Sequence, residues 1–167
     1  MKFQLIDRID SIEPGRRIQT AKNLTLSEEY LADHFPDFPV MPGVLMIEAL
    51  VQSAAWLVRV EQNWTKSIIV LSVAKNVRYA NFVKPGDTLR CDLEATSITA
   101  DSAKFKASGS VDGGPAVSAR LELRCFNLAD RKAYLSQADA DIIAELKRTF
   151  ELISGPRVLE EASKQRV

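Results

Sequence analysis

The sequence of 167 residues is poor in the side chains that build metal sites and disulfide frameworks. It has one histidine, His34, and two cysteines, Cys91 and Cys125. The cysteines fit no zinc-binding spacing, and a disulfide scaffold is not expected in a chain of this size. Lysine plus arginine equals aspartate plus glutamate at 22 each, so no charge excess favours a nucleic-acid partner.

Long apolar runs are also scarce. No run is expected to reach membrane-spanning length, and the N-terminal MKFQLIDRID places charges where a signal peptide requires apolar residues. The length predicts one domain with enough apolar content to bury a core. We therefore expect a reduced, cytoplasmic protein with neither a membrane span nor a nucleic-acid partner.

Alternating polarity dominates the second half of the chain. Apolar and polar residues alternate with a period of two over residues 89–95, 105–111 and 117–125. This period predicts strands of an antiparallel sheet that is covered on one face. Asp112-Gly113-Gly114-Pro115 predicts a hairpin between the last two strands. Residues 67–77 are more continuously apolar and predict a central strand.

Two helices are predicted, one before and one after these strands. Residues from Gly43 to about Asn63 have almost no polar face, which is typical of a helix enclosed by other protein. Residues 137–153 carry apolar side chains at helical spacing among charges, and residues from Gly155 onward are polar and expected to be loose. The predicted fold class is α+β: a curved antiparallel sheet wrapped around a buried central helix, plus an extra C-terminal helix.

One acidic residue stands in the apolar helix within "HFPDFPVMPGVLMIEALVQ", residues 34–52. Val44, Glu48 and Gln52 are spaced to share one helix face, and no cation lies within a turn on that face. An unpaired carboxylate in an apolar setting is costly, so Glu48 is a candidate proton donor that Gln52 orients. The alternative is that an arginine from a strand neutralises Glu48.

The single histidine lies just upstream, in a loop stiffened by prolines. A lone histidine in a loop is often structural or exposed, but a rigid loop leading to a helix N-terminus can also fix a catalytic group. The N–H groups of Gly43 and Val44 would offer hydrogen bonds to a developing oxyanion, and Gly43 allows close approach of a ligand. A base, an acid and an oxyanion site together predict enolate chemistry next to a carbonyl.

The same residues resemble the signature of the 3-hydroxyacyl-[acyl-carrier-protein] dehydratases of fatty-acid synthesis, which have the hotdog fold. The segments that carry the resemblance are His34-Phe35-Pro36, Met41-Pro42-Gly43-Val44-Leu45 and Glu48-Ala49-Leu50-Val51-Gln52. The resemblance extends from Phe3 to a strand that ends near Phe126. It implies a hotdog domain over residues 1–128, followed by a helical extension and polar tail over residues 129–167.

The resemblance also implies a role for each site residue. His34 would remove the α-proton, Glu48 would protonate the leaving hydroxyl, and the Gly43 N–H would hold the thioester oxygen. No metal or redox cofactor is implied. The acyl group would arrive on the phosphopantetheine arm of an acyl carrier protein. Because the histidine and the acid facing it come from opposite subunits in this family, a homodimer is expected, with a trimer of dimers left open.

The chain departs from the family pattern at Asp37, where glycine is usual. We expect the Asp37 carboxylate to favour the protonated form of the His34 imidazole, which cannot act as a base. The alternative is that Asp37 points into solvent and is screened. The extra C-terminal helix is a second departure. Two other functions are weighed against dehydration: a hotdog thioesterase, and a non-catalytic hotdog partner or acyl-binding subunit. The presence of both His34 and Glu48 favours the dehydratase.

Overall fold

A computed structural model describes residues 3–35 and 37–164. Pro36 of the His-Phe-Pro segment and residues 165–167 of the predicted tail lie outside the described residues. Six strands form one antiparallel sheet in the order β1-β2-β4-β5-β6-β3. Their bounds are β1 (Arg8–Glu13), β2 (Arg17–Asn23), β3 (Ile68–Tyr79), β4 (Thr88–Ile98), β5 (Ser102–Val111) and β6 (Gly114–Phe126). The alternating segments of the sequence are β4, β5 and β6, as predicted.

The central helix α2 (Gly43–Glu61) follows a short helix α1 (Tyr30–Asp33) and packs against the concave face of the sheet. Its apolar side chains join those of the strands in one hydrophobic core. The predicted α+β hotdog architecture is therefore confirmed. The expected absence of a membrane-length apolar segment was wrong: α2 is long and apolar enough to cross a membrane, but most of it is buried inside the sheet, as in a core helix.

Strand β3 lies at the edge of the sheet, so the prediction of a central strand was wrong. It pairs only with β6, and Ile69 is its one buried residue. Val70 and Leu71 are 44% and 38% exposed. A continuous apolar run indicates contact on both sides of a strand, but it does not tell whether the neighbours belong to the same chain. The apolar edge of β3 is thus left uncovered by this chain.

Tight turns precede β4 and connect β5 to β6, the second of them where the sequence predicts a hairpin. Asp112 and Gly113 both have positive φ, 49° and 78°, between the paired ends of β5 and β6. Positive φ at both central residues is the geometry of a two-residue hairpin that matches strand twist. Before β4, the Asp87 N–H donates to the Lys84 carbonyl at 2.9 Å, and Gly86 takes a φ of 97°.

The C-terminal region forms two helices, α3 (Ser136–Leu152) and α4 (Gly155–Lys164), after two short 3-10 turns. The expectation of a loose tail from Gly155 onward was wrong, since α4 packs against β1 and buries Val158. The Ile9 N–H also donates to the Ile153 carbonyl at 2.9 Å. The sequence signal for α4 is weak because few apolar residues occur among its charges. The division at residue 128 stays a prediction.

Asp139 fastens the start of α3 to the sheet. Its carboxylate accepts the backbone N–H groups of Leu128 and Ala129, both at 2.9 Å, and the hydroxyl of Ser67. Desolvation raises the pKa of Asp139, but the hydrogen bonds from Ser67, Ala129 and Leu128 outweigh it and hold the pKa below its usual value. The hydrogen bonds of an ionised Asp139 therefore contribute to the attachment of α3 to the sheet.

Candidate active site

His34 ends α1 and begins the loop that leads to the central helix. Its side chain is half-buried, and its imidazole packs against the ring of Phe35 with centroids 4.5 Å apart. Phe35 has a φ of 51°, in the left-handed region that non-glycine residues seldom adopt. The Phe38 N–H donates to the Phe35 carbonyl at 2.8 Å.

The N-terminus of α2 presents free backbone N–H groups. Pro42 precedes the first helical residue, and its carbonyl accepts the N–H groups of Leu45 at 2.9 Å and Met46 at 3.2 Å. Among the described residues, no acceptor is present for the N–H of Gly43 or Val44. These N–H groups lie at the positive end of the helix dipole, so they are suited to bind a developing negative charge.

Tyr79 contacts the backbone of Gly43 and explains why glycine is present there. A Cβ built on Gly43 would lie 2.9 Å from Cε1 of the Tyr79 ring, too close for any side chain without movement of the ring. His34, Gly43 and Tyr79 line one cavity of about 380 Å³, which we call the His34 cavity. The structure thus brings the predicted base and the predicted oxyanion site together.

Glu48 and Gln52 form a hydrogen-bonded pair on the same helix. Gln52 Nε2 donates to Glu48 Oε1 at 2.9 Å, the contact expected from the i, i+4 spacing. The Leu5 N–H donates to Gln52 Oε1 at 2.9 Å, and Gln52 Nε2 also donates to the Phe3 carbonyl at 3.2 Å. These bonds fix the orientation of the Gln52 amide, so that its NH2 group faces Glu48.

Glu48 is half-buried rather than enclosed, and it lines a second cavity of about 340 Å³. No described cation pairs with it, so the alternative of a neutralising arginine from a strand finds no partner within residues 3–35 and 37–164. Within one chain, therefore, His34 borders one cavity and Glu48 borders another.

Two further predicted residues are more exposed than the rest of the site. Val44 lies in the first turn of α2 and is 71% exposed. Its backbone N–H, and not its side chain, is the group predicted to bind the oxyanion. Asp37 is also exposed, and no described residue forms a hydrogen bond or ion pair with it. The expected interaction between Asp37 and His34 stays a prediction, and solvent around an exposed carboxylate weakens it.

Arg59 is not among the residues predicted from the sequence, although it lies on the same face of α2 as Glu48. It lines the Glu48 cavity, and its guanidinium lies 5.2 Å from the ring centroid of Trp56. Its Nε is buried without a hydrogen-bond partner. Burial lowers the pKa of Arg59 to about 10, so the side chain is still protonated at neutral pH. The spacing from Glu48 to Arg59, eleven residues on one helix, was the signal that could have found it.

Neither cysteine is placed for chemistry. Cys91 and Cys125 are both buried and unpaired. Burial raises the pKa of the Cys91 thiol to about 12, which keeps it protonated and unreactive. In the part of the chain that is described, no group of three or more His, Cys, Asp or Glu side chains could hold a metal ion.

Comparison with known proteins identifies the family. Residues 1–120 match the FabA-like domain. A 3-hydroxyacyl-[acyl-carrier-protein] dehydratase FabZ of Exiguobacterium sibiricum is 42% identical over 120 residues, which is 71% of this chain and 85% of the relative. The chain belongs to this dehydratase family. The FabZ of Bacillus cereus is 38% identical over 131 residues, covering 78% of this chain and 88% of the relative.

The fold also has a solved counterpart. The dehydratase heterocomplex ApeI:P from Xenorhabdus doucetiae has a chain with a TM-score of 0.66 and 16% sequence identity. The similarity covers 80% of this chain and 90% of that one, and at this identity it bears on the fold alone. The resemblance noted in the sequence is thus confirmed at the level of family and fold.

Proposed function

We propose that the protein is a hydro-lyase that converts a 3-hydroxyacyl thioester, carried on acyl carrier protein, into the trans-2-enoyl thioester and water. The observation that carries this proposal is the shared cavity of His34 and the free N–H groups at the start of α2. A base next to an oxyanion site is the arrangement needed to remove a proton α to a carbonyl. Membership in the dehydratase family supports the same reaction.

The proposed steps assign one task to each group. The His34 imidazole takes the α-proton, while the Gly43 N–H donates to the thioester oxygen as negative charge develops on it. Glu48 gives its proton to the β-hydroxyl, the C–O bond breaks, and water leaves as the double bond forms. Gln52 holds Glu48 through the 2.9 Å hydrogen bond. Val44 offers a second N–H near the same oxygen.

A homodimer would complete this site. In one chain His34 and Glu48 border different cavities, and β3 leaves an apolar strand edge exposed. Pairing of β3 with its copy in a second chain would cover that edge and bring each His34 towards the Glu48 of the partner. Further assembly into a trimer of dimers stays a prediction, as does the cytoplasmic location.

Acyl carrier protein is the proposed donor of the substrate. The Phe82 ring lines the His34 cavity and contacts the Phe38 ring edge-on, and the Nζ of Lys84 lies 5.3 Å from the ring centroid of Phe38. An exposed cation beside these rings would favour an acidic carrier surface. The aromatic rings beside it would contact the phosphopantetheine arm.

The test is incubation with a 3-hydroxyacyl thioester, once on acyl carrier protein and once on a pantetheine mimic. Dehydration yields a conjugated enoyl thioester that absorbs in the ultraviolet, with no free thiol released. Release of thiol without enoyl product would instead indicate a thioesterase. Absence of both products with every substrate would indicate the non-catalytic partner or acyl-binding subunit.

A further inference from the structure

The cavity that Glu48 borders lies between α2 and α3, with Phe3, Gln4 and Ile69 completing its lining, and we call it the α2–α3 cavity. The helix α2 contributes side chains at positions 48, 51, 52, 55, 56 and 59, which share one helix face. The α-carbons of Glu48 and Arg59 are therefore separated by about 16 Å along the helix axis, at about 1.5 Å per residue. The cavity runs from the proposed catalytic acid along most of the length of α2.

The opposite wall comes from a part of the chain outside the family match. The helix α3 contributes Ile142, Glu145, Leu146 and Thr149 to the cavity, whereas the FabA-like match ends at residue 120. Two of these side chains are apolar and face the apolar side chains of α2. A helix that this chain adds to the family domain therefore shapes the space beyond the catalytic acid.

The α3 wall is held firmly at both ends. At its start, Asp139 binds two backbone N–H groups and the Ser67 hydroxyl. Near its end, the Phe150 ring packs against Trp56 and Trp64, with ring centroids 5.8 and 5.3 Å away. Because both ends are fastened to the core, the α2–α3 cavity is a formed feature of the fold.

Arg59 is the polar group at the far end of this cavity. Its side chain is half-buried beside Trp56, its Nε is buried without a hydrogen bond, and no described carboxylate forms an ion pair with it. A buried N–H donor without an acceptor is costly, and an anion that enters the cavity would supply the missing acceptor. A ligand with one anionic end would be suited to the site.

We propose that the α2–α3 cavity holds the acyl chain of the substrate, and that Arg59 selects chains whose far end carries a carboxylate. This inference rests on the proposed dehydration, because the reacting β-carbon must lie at Glu48 for its chain to enter here. The apolar side chains of α2 and α3 contact the methylenes, and the guanidinium binds the terminal carboxylate. The C-terminal extension is then a determinant of substrate choice.

The experiment compares two series of 3-hydroxyacyl thioesters of increasing chain length, one ending in methyl and one in carboxylate. We expect kcat/KM of the wild type to favour the carboxylate series by about 10-fold or more at the length that reaches Arg59. In Arg59→Met, which keeps the stem that packs on Trp56, this preference should disappear while short methyl-ended substrates react normally. Arg16→Met is the matched control, since Arg16 is 79% exposed in the β1–β2 turn.

A second variant tests the α3 wall independently of charge. Ile142→Trp fills the cavity from α3, so long substrates of both series should lose kcat/KM while short substrates keep it. Leu152→Trp is the control on the same helix, because Leu152 is 84% exposed and does not line the cavity. An unchanged chain-length profile in Ile142→Trp, or an unchanged carboxylate preference in Arg59→Met, would overturn the inference.

Binding measured without turnover separates this inference from the proposed reaction. The chain has two tryptophans, and Trp56 lines the cavity with Trp64 beside it. Titration with the carboxylate-ended thioesters should change the tryptophan fluorescence of the wild type and not of Arg59→Met. Binding without dehydration would contradict the proposed reaction and leave the inference about the α2–α3 cavity standing. Dehydration of short chains without any preference for a carboxylate end would contradict the inference and leave the proposed reaction standing.

Discussion

At the scale of single residues, the hydrogen bonds around Glu48 leave one of its oxygens available. Oε1 accepts from Gln52, and no described residue donates to Oε2. Gln52 cannot turn its amide over without losing the bond from the Leu5 N–H. A carboxyl group fixed through one oxygen presents the other in a constant direction, which is the requirement for a general acid. Glu48 is thus positioned by its neighbours rather than by burial.

Replacement of Glu48 by glutamine tests this role. Glu48→Gln keeps the shape of the side chain and can still accept the hydrogen bond from Gln52, so the thermal unfolding midpoint should stay near that of the wild type. Because the amide cannot give a proton to the leaving hydroxyl, dehydration should fall by about 10²-fold or more. The rate of enoyl formation measures this, and turnover close to that of the wild type would remove Glu48 from the mechanism.

The contact between Gly43 and Tyr79 gives a second prediction at this scale. Gly43→Ala places a Cβ 2.9 Å from the ring of Tyr79, which is 51% exposed, so the ring must shift and the free energy of unfolding should fall. Tyr79→Ala removes the obstacle, so the double variant should lose less stability than the sum of the two single variants. Denaturant unfolding of all four proteins measures the difference. Strict additivity would show that the ring and the glycine do not constrain one another.

Sequence spacing identified the residues that share a short segment and missed those that come from elsewhere. His34, Gly43 and Glu48 lie within one stretch, where helix periodicity and loop stiffness can be read directly. Tyr79 reaches Gly43 from the end of β3, and that contact depends on how the sheet places β3 against α2. Arg59 lies on the same helix face as Glu48, so periodicity alone could have placed it there, but periodicity does not show that its side chain is half-buried beside Trp56.

At the scale of elements, the helix α3 depends on Asp139. The pKa of Asp139 lies below its usual value. The stabilisation that its hydrogen bonds give to the folded state is therefore fully present above the ordinary carboxyl pKa of about 4, and it is lost as pH falls through the lower pKa of the folded state. Asp139→Asn replaces the acceptor by a group that carries donors of its own. We expect several-fold faster hydrogen exchange in α3 at neutral pH, with no further acid-dependent loss from this site. Exchange equal to that of the wild type would show that the core contacts of Phe150 hold α3 alone.

The exposed edge of β3 allows a test of how two chains pair. A lysine at an edge position opposes strand pairing between chains. Leu71→Lys should therefore shift the protein from dimer towards monomer in sedimentation at micromolar concentration. Leu152→Lys, at an 84% exposed position on α3, is the matched control and should sediment as the wild type does. A Leu71→Lys protein that remains fully dimeric would place the interface elsewhere.

At the scale of the whole molecule, the sequence predicted the layers and missed part of their arrangement. Alternation identified β4 to β6, and the apolar segment identified α2, because each pattern reflects which faces of that element are buried. The sequence also predicted that β3 lies in the centre of the sheet. That prediction was wrong because an apolar run reflects burial in the complete assembly and not in one chain. The residues of α4 were predicted to be a loose tail, because the few apolar residues of that helix pack only once β1 is in place.

Subunit complementation tests the assembly that these observations imply. If each site takes His34 from one chain and Glu48 from its partner, a mixed dimer of His34→Ala and Glu48→Gln chains contains one intact site and one with both residues replaced. Random pairing of equal amounts should restore roughly a quarter of the wild-type activity per chain, although each variant alone is inactive. The chains are mixed in denaturant and refolded together so that they exchange, and the His34→Ala chain refolded alone is the control. No recovery in a mixture that has formed mixed dimers would place both residues of each site in the same chain.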